Sequence, residues 1–312
     1  VRPLRRIAIT TGDTDGIGLE VSIKALKRLG PQNASQFILF RSSRAPKYKI
    51  TQFRRIIVPT LEDALSLQPS QEQLIEVCRT DSPAQWVEEV ARACLQMKID
   101  ALATGPLSKQ EIQRAGFKDI GHTDILKRVS RCKTAFMTFL GPQFNVLLAS
   151  GHTPLQKVEG SLNAKVLRAA LDAAQQTKSL LPPAQRRKPI AVLGLNPHAG
   201  DKSLIGRFES CVLSPLLLNS KSIVGPLVPD VAFLPENWKK YSVYVALYHD
   251  QGLIPFKMIH GFDAGVHLTM GLPIKRSSVD HGTAKDLYGL NKANPGSMIE
   301  AIKWAVRLAH KG

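Results

Sequence analysis

Short aliphatic and β-branched runs alternate along the chain with stretches of helical period. Residues 6–11 form an apolar run of strand length, and residues 17–29 return apolar side chains at helical spacing. Residues 36–40 predict a short strand. The stretch from 41 to 80 mixes Pro, Gln and brief apolar pieces and predicts one strand near Ile56, Ile57 and Val58. Residues 82–98 predict a helix, opened by Asp81-Ser82-Pro83 as cap and first-turn proline. Further strands are predicted over 101–103, 134–140, 145–150, 190–195, 243–248 and 266–270, and further helices over 109–115, 123–130, 162–178, 209–218 and 298–310. Gly141-Pro142 joins two of the strands in a hairpin-like way. Residues 181–189 predict a linker. Strands alternating with helices predict an α/β fold with a largely parallel sheet, in which ligands sit beyond the carboxyl ends of the strands.

The 312 residues suffice for about two domains, and 44% hydrophobic with 21% charged residues is ordinary for a globular chain. No internal repeat, low-complexity tract or membrane-length apolar run occurs. The basic opening VRPLRR leads at once into an apolar run without a signal-peptide pattern, so a first strand is expected there. Four scattered cysteines, Cys78, Cys94, Cys132 and Cys211, include no CxxC pair; reduced, buried thiols in a cytoplasmic protein are expected. The net charge of +17 raises nucleic-acid binding. The basic residues are dispersed, however, and aromatics make up only 6%, so a solvated surface whose field draws in anions is the better expectation.

Candidate chemistry lies in the loops. His152 follows NVLLASG, His198 follows AVLGLNP and His249 follows VYVALY, each just after an apolar run. Three neutral imidazoles meeting around an open position suit Zn²⁺ or a similar divalent ion, with Asp250 as a supporting carboxylate. Spacings of 46 and 51 residues form no local motif, so three unrelated loop histidines also fit. Lys257 and Arg276 fall in what reads as a loop-rich region, and His122-Thr123 opens a predicted helix after Gly121. A point charge, a guanidinium fork and a helix start all suit a phosphate. The glycine turn TGDTDGIG has neither GxGxxG nor GxxxxGK[ST] order. His281-Gly282-Thr283-Ala284, followed by Asn294, makes a small-residue loop that lets backbone approach an adenosine, although an ordinary capping loop looks the same.

Taken together, TGDTDGIG, ATGPLSK, GHTDIL, LASGHTPL, GLNPHAG, YHDQGLIPFK and GLPIKRSSVDHGTA resemble the 4-hydroxythreonine-4-phosphate dehydrogenase family of pyridoxal phosphate biosynthesis, in the family's order from residue 11 to 284. The resemblance implies an isocitrate/isopropylmalate dehydrogenase-like fold without a Rossmann domain. It would have two intertwined α/β subdomains, about 1–130 plus 265–312 and 131–264, with a cleft between them. It implies metal ligands His152, His198 and His249, drawn from both chains of a homodimer. Substrate contacts would be His122, Thr123, Lys257 and Arg276, together with His267 where the family carries asparagine. The adenosine side would fall to His281, Gly282, Thr283, Ala284 and Asn294. The turn at Thr14-Asp15 and Leu19, and Asp201 to Leu204 after NPHAG, also depart from the family's pattern.

The implied reaction is metal-assisted oxidation, by NAD or NADP, of a hydroxyl on 4-phosphooxy-threonine to a β-keto acid that decarboxylates. Three imidazoles favour zinc or cobalt over magnesium or manganese. Asp250 and His122 are both candidates for the base. A related phosphorylated four-carbon acid or a dihydrodiol is an alternative substrate. A three-histidine metal hydrolase and a basic binding protein without activity are alternatives of other classes. Neither a nucleic-acid nor a membrane partner is expected.

Overall fold

The computed structural model describes residues 4–32, 34–218, 220–261 and 264–311; the first three residues of the basic opening lie outside them. Twelve strands follow one another among the described residues: β1 (Arg5–Thr10), β2 (Ser35–Ser42), β3 (Arg54–Val58), β4 (Gln73–Arg79), β5 (Ala101–Thr104), β6 (Phe136–Leu140), β7 (Asn145–Leu148), β8 (Ile190–Leu193), β9 (Ile223–Leu227), β10 (Tyr244–Ala246), β11 (Val266–Met270) and β12 (Arg276–Ser278). The chain divides into two compact units. One comprises Val1–Lys133, Phe262–His267 and Leu272–Gly312; the other comprises Thr134–Gly261 and Leu268–Gly271.

In the first unit the strand order is β3-β4-β2-β1-β5-β12, and every pairing is parallel. Strands of such a sheet are covered on both faces and read as continuous apolar runs rather than alternating ones. The FILF run of β2 is fully buried for that reason. One face is covered by the helix Pro83–Leu95, whose Trp86, Val87 and Val90 pack with Ile38, Phe40, Ile75 and Leu102. Its start carries a complete capping box between Ser82 and Gln85 behind Pro83. In the second unit the order is β6-β7-β10-β8-β9, with only the β6–β7 hairpin antiparallel. Its core is aromatic, with Phe139, Phe144, Tyr244 and Phe256 packed around Val146 and Ala246.

Several local expectations are corrected. Residues 41–80 hold two strands and the helix Leu61–Ser66 rather than one strand. The strand β4 was hidden by Glu76, a charge in the middle of an apolar run. Glu76 is fully buried because Arg41 Nε donates to it at 2.7 Å and Arg55 grips its other oxygen. Lys257 lies on the helix His249–His260, which tolerates Pro255 by giving up one backbone bond. Arg276 opens β12. Both were expected in loops, since glycines and prolines surround them. The run predicted over 243–248 ends at Ala246, where Tyr248 begins the next helix, and 209–218 divides into a π turn and a short α-helix. The edge strand β9 carries Pro226, which removes a ladder donor and obscured it in the sequence. The linker over 181–189 contains a helical turn, Pro183–Arg186. The cysteines are free, but none is fully buried as expected: Cys78, Cys94 and Cys132 are half-buried and Cys211 is exposed. No helix among the described residues is long and apolar enough to cross a membrane.

Candidate active site

The first unit builds a buried cationic seat. Arg276, only 2% exposed, aims Nε and Nη2 at Thr104 Oγ1 (3.1 and 2.8 Å), and that hydroxyl donates to Ser278 Oγ at 3.0 Å. The register of β12 on β5 produces this contact: Ser278 pairs with Thr104, and Arg276 lies two residues earlier on the same face. Burial pulls the Arg276 guanidinium down to about 9. His122 opens the helix His122–Ser130 behind Gly121. Its Nε2 is out of solvent and has no hydrogen-bond partner among the described residues. Burial first, then the positive charges of Arg276 and His267, hold His122 neutral and well below the ordinary imidazole value. His267, on β11, is buried at 8% exposure. Thr123 is half-buried in the first turn of the same helix. Four of the five predicted substrate contacts therefore belong to this unit, three of them electrostatically coupled. An anion entering the seat would offset the cost of desolvating Arg276.

The remaining predicted contact, Lys257, is half-buried on the second unit's helix His249–His260. That helix also carries His249 and Asp250 in its first turn. His249 Nδ1 meets Asp250 Oδ1 at 2.6 Å. The carboxylate only accepts, so Nδ1 carries the hydrogen and Nε2 keeps the lone pair a metal needs. The His152 ring, exposed beyond β7, lies 5.4 Å from the His249 ring between centroids. This pair fits a divalent ion in donor chemistry. His198 does not complete it within one chain: among the described residues no set of three His, Cys, Asp or Glu side chains is arranged to hold a metal. Of the three histidines expected to converge, the described residues of one chain bring His152 and His249 near each other.

His198 stands at the start of a left-handed turn, with positive φ from His198 to Ser203. The buried Glu209 clamps the loop before it, accepting from the amides of Leu195 (2.8 Å) and Asn196 (2.7 Å) and from Asn196 Nδ2 (3.0 Å). Burial opposes ionisation of Glu209, yet the Asn196 and Leu195 donors keep it below the usual carboxylate range. The clamp spans only 13 or 14 residues, but nothing about a glutamate in a helical pattern announces it.

The predicted cofactor loop, His281 to Ala284, docks on the first glycine turn of its own unit. Ile17 N donates to Thr283 O at 3.0 Å. A Cβ on Gly16 would meet the same carbonyl at 2.9 Å, so glycine is required for this approach. Asn294 is exposed, and its Oδ1 accepts from Gly296 N at the head of the last helix. Sequence reasoning missed Thr104, Asp13 and Lys285, whose partners lie far along the chain; only the strand-end positions of TGD and TGP hinted at the first two.

The pyridoxal phosphate biosynthetic protein PdxA family matches residues 49–305. A 4-hydroxythreonine-4-phosphate dehydrogenase of Sulfurihydrogenibium is 34% identical, over 97% of this chain and 98% of its own. A D-threonate 4-phosphate dehydrogenase of Salmonella typhimurium is 31% identical, over 98% and 99%. Among solved structures, a 4-hydroxythreonine-4-phosphate dehydrogenase from Klebsiella pneumoniae superposes with a TM-score of 0.80 at 26% identity, covering 100% of both chains. The isocitrate dehydrogenase of Methylococcus capsulatus shares the fold, at a TM-score of 0.52 and 15% identity over 99% of this chain and 86% of its own.

Proposed function

The chain belongs to the PdxA family of pyridoxal phosphate biosynthesis, and on that premise we propose that it oxidises 4-phosphooxy-threonine with a nicotinamide cofactor and a divalent metal. The observation that carries the reading is the buried Arg276 seat, a desolvated cation coupled to His122 and His267. A phosphorylated acid is the ligand class that such a seat stabilises most.

When bound, the metal supplies Lewis-acid polarisation of the substrate oxygen and the nicotinamide supplies the hydride acceptor. The chain's own residues do the rest. Arg276, Thr123 and His267 bind and orient the anionic substrate so that the reacting carbon is fixed. Asp250 holds His249 in the ligating tautomer. Of the two base candidates, Asp250 is engaged by His249, whereas His122 keeps an uncommitted buried nitrogen. We assign the hydroxyl proton to His122 once the bound phosphate offsets the positive charges of Arg276 and His267 that otherwise hold its proton affinity down. Decarboxylation of the β-keto product follows from the adjacent ketone.

On this reading the enzyme is a homodimer, with His152 and His249 of one protomer and His198 of a second copy forming each metal site. Exposed apolar side chains flank all three histidines in sequence: Leu155 at 72%, Leu204 at 83%, Ile254 at 58% and Met258 at 78%. Apolar exposure of this kind marks contact surfaces. The imidazole-rich donor set favours zinc or cobalt, and the free cysteines suit a reducing cytoplasm.

A second reading, D-threonate 4-phosphate as substrate, is favoured by the 31% identity with the D-threonate 4-phosphate dehydrogenase of Salmonella typhimurium and by His267 standing where the 4-hydroxythreonine-4-phosphate dehydrogenases are expected to carry asparagine. The test is formation of reduced cofactor with each substrate, with NAD and with NADP, before and after chelation. Turnover of 4-phosphooxy-threonine that stops on chelation supports the first reading. Preference for D-threonate 4-phosphate supports the second. Turnover that survives chelation, or hydrolysis without nicotinamide, overturns the metal-dependent dehydrogenase.

A further inference from the structure

We propose that Lys285 is a positioning residue, latched by Asp13 and Asp15, that holds the His281 to Ala284 loop ready for the nicotinamide cofactor. The inference rests on the dehydrogenase reading above and adds residues that this reading does not use.

Three turns of the first unit meet at Asp13. Its amide donates to Pro106 O at 3.0 Å, and its Oδ1 accepts from Ser108 N at 2.8 Å, tying the turn after β1 to the turn after β5. Its side chain is fully enclosed, and its Oδ2 lies 3.4 Å from Lys285 Nζ. The same ammonium reaches Asp15 Oδ2 at 2.8 Å. Lys285 directly follows Ala284, whose φ of 42° turns the loop back, and the loop's Thr283 carbonyl takes the Ile17 amide. One ammonium therefore fastens the end of the loop to a carboxylate that is itself fixed in two other turns.

The charge arrangement matters as well as the geometry. Nicotinamide dinucleotides are anionic. Without Lys285, Asp13 and Asp15 would present two uncompensated carboxylates beside the loop. Lys285 is 36% exposed on its side chain, so truncating it removes little core packing. The Lys285–Asp15 pair is exposed and contributes little to global stability, and the enclosed Asp13 keeps the Ser108 amide as a donor when Lys285 is truncated. The effect is accordingly expected in local order and cofactor affinity rather than in folding.

The experiment titrates reduced cofactor by fluorescence into the wild type, Lys285→Ala and Lys285→Arg, and follows amide hydrogen exchange over residues 281–290 without cofactor. Lys285→Ala should weaken cofactor binding about fivefold or more, about 1 kcal/mol. It should speed exchange in that segment while Tm stays within about 2 °C. KM for the cofactor should rise, with kcat and the KM for the phosphorylated substrate held within about twofold. Lys285→Arg should restore most of the affinity, and Asp15→Ala should show a weaker version of the Lys285→Ala effect. Unchanged cofactor affinity and unchanged exchange in Lys285→Ala overturn the latch. So does an equal loss in the arginine variant, which would make shape rather than charge the determinant. A wild type that binds the phosphorylated acid but no nicotinamide nucleotide overturns the dehydrogenase reading, and the latch with it; that outcome is separate from a wild type that binds the nucleotide and a variant that binds it equally well.

Discussion

Arg276 and His122 show how burial turns ordinary side chains into a site. The guanidinium is stripped of water and donates to the Thr104 hydroxyl, so it gains more from an incoming phosphate than a surface arginine in water would. Arg276→Lys keeps the charge but loses the fork, and KM for the phosphorylated substrate should rise roughly tenfold to a hundredfold, in line with about 1.5–3 kcal/mol for a charged hydrogen-bonded group. Metal content, read by atomic absorption, should be unchanged. His122 and His260 carry a pH consequence. Burial lowers both imidazoles from the ordinary 6.5, although the Phe256 carbonyl partly offsets this at His260. His260 Nε2 accepts from Gln143 N, so a proton there would face a donor. A histidine depressed in the native state binds fewer protons than its unfolded counterpart. Stability is therefore intact above about 6.5 and is lost as pH falls through the lowered native values. Thermal melts between pH 7.5 and 5, on scales where Tm is followed point by point, should show this decline, and it should be shallower in His260→Gln.

Among the elements, the helix His249–His260 is the one whose placement matters most, since it carries His249, Asp250 and Lys257 together. It sits on β7 and β10 through Gly252. A Cβ there would meet Val146 Cγ1 at 2.6 Å, Leu148 Cδ2 at 2.8 Å and Ala246 Cβ at 3.0 Å. Gly252→Ala must therefore push the helix off the sheet, at a cost of about 1–3 kcal/mol as for other overpacked cores. Because His249 rides on the same helix, metal affinity should fall with stability, which denaturant titration and metal analysis of the same variant would show together. The helix Pro83–Leu95 offers the contrasting case. Ser82→Ala breaks its capping box and should cost about 1 kcal/mol while leaving cofactor and substrate constants alone, because that helix covers the sheet and holds no predicted ligand contact.

For the whole molecule, the charge of +17 and the proposed sharing of a metal site between two chains set the expectations. Capture of an anionic substrate by a strongly basic protein should slow as salt rises, with kcat/KM falling more than kcat between low and physiological ionic strength. If each site takes His152 and His249 from one chain and His198 from another, inactive His198→Ala and His249→Ala proteins should restore each other when unfolded and refolded together. Random pairing makes half of the dimers mixed, and each mixed dimer has one intact site, so recovery should approach about a quarter of wild-type activity. No recovery on mixing would mean that all three ligands come from one chain.

The alternation of strand-length apolar runs with helical ones was enough to indicate an α/β fold, because parallel strands buried on both faces must read that way in any sequence. The segments GLNPHAG, YHDQG and SVDHGTA carried the family, since short-range chemistry at strand ends leaves a local record. Tertiary structure decided what depends on partners distant in sequence. Glu76 reads as a break in a strand until Arg41 and Arg55 are brought to it. Arg276 and Lys257 read as loop residues until the sheet and the aromatic core around Phe256 fix their neighbours. Asp13 and Lys285 are separated by most of the chain, and their attraction exists only once the fold has met the entropy cost of bringing three turns together.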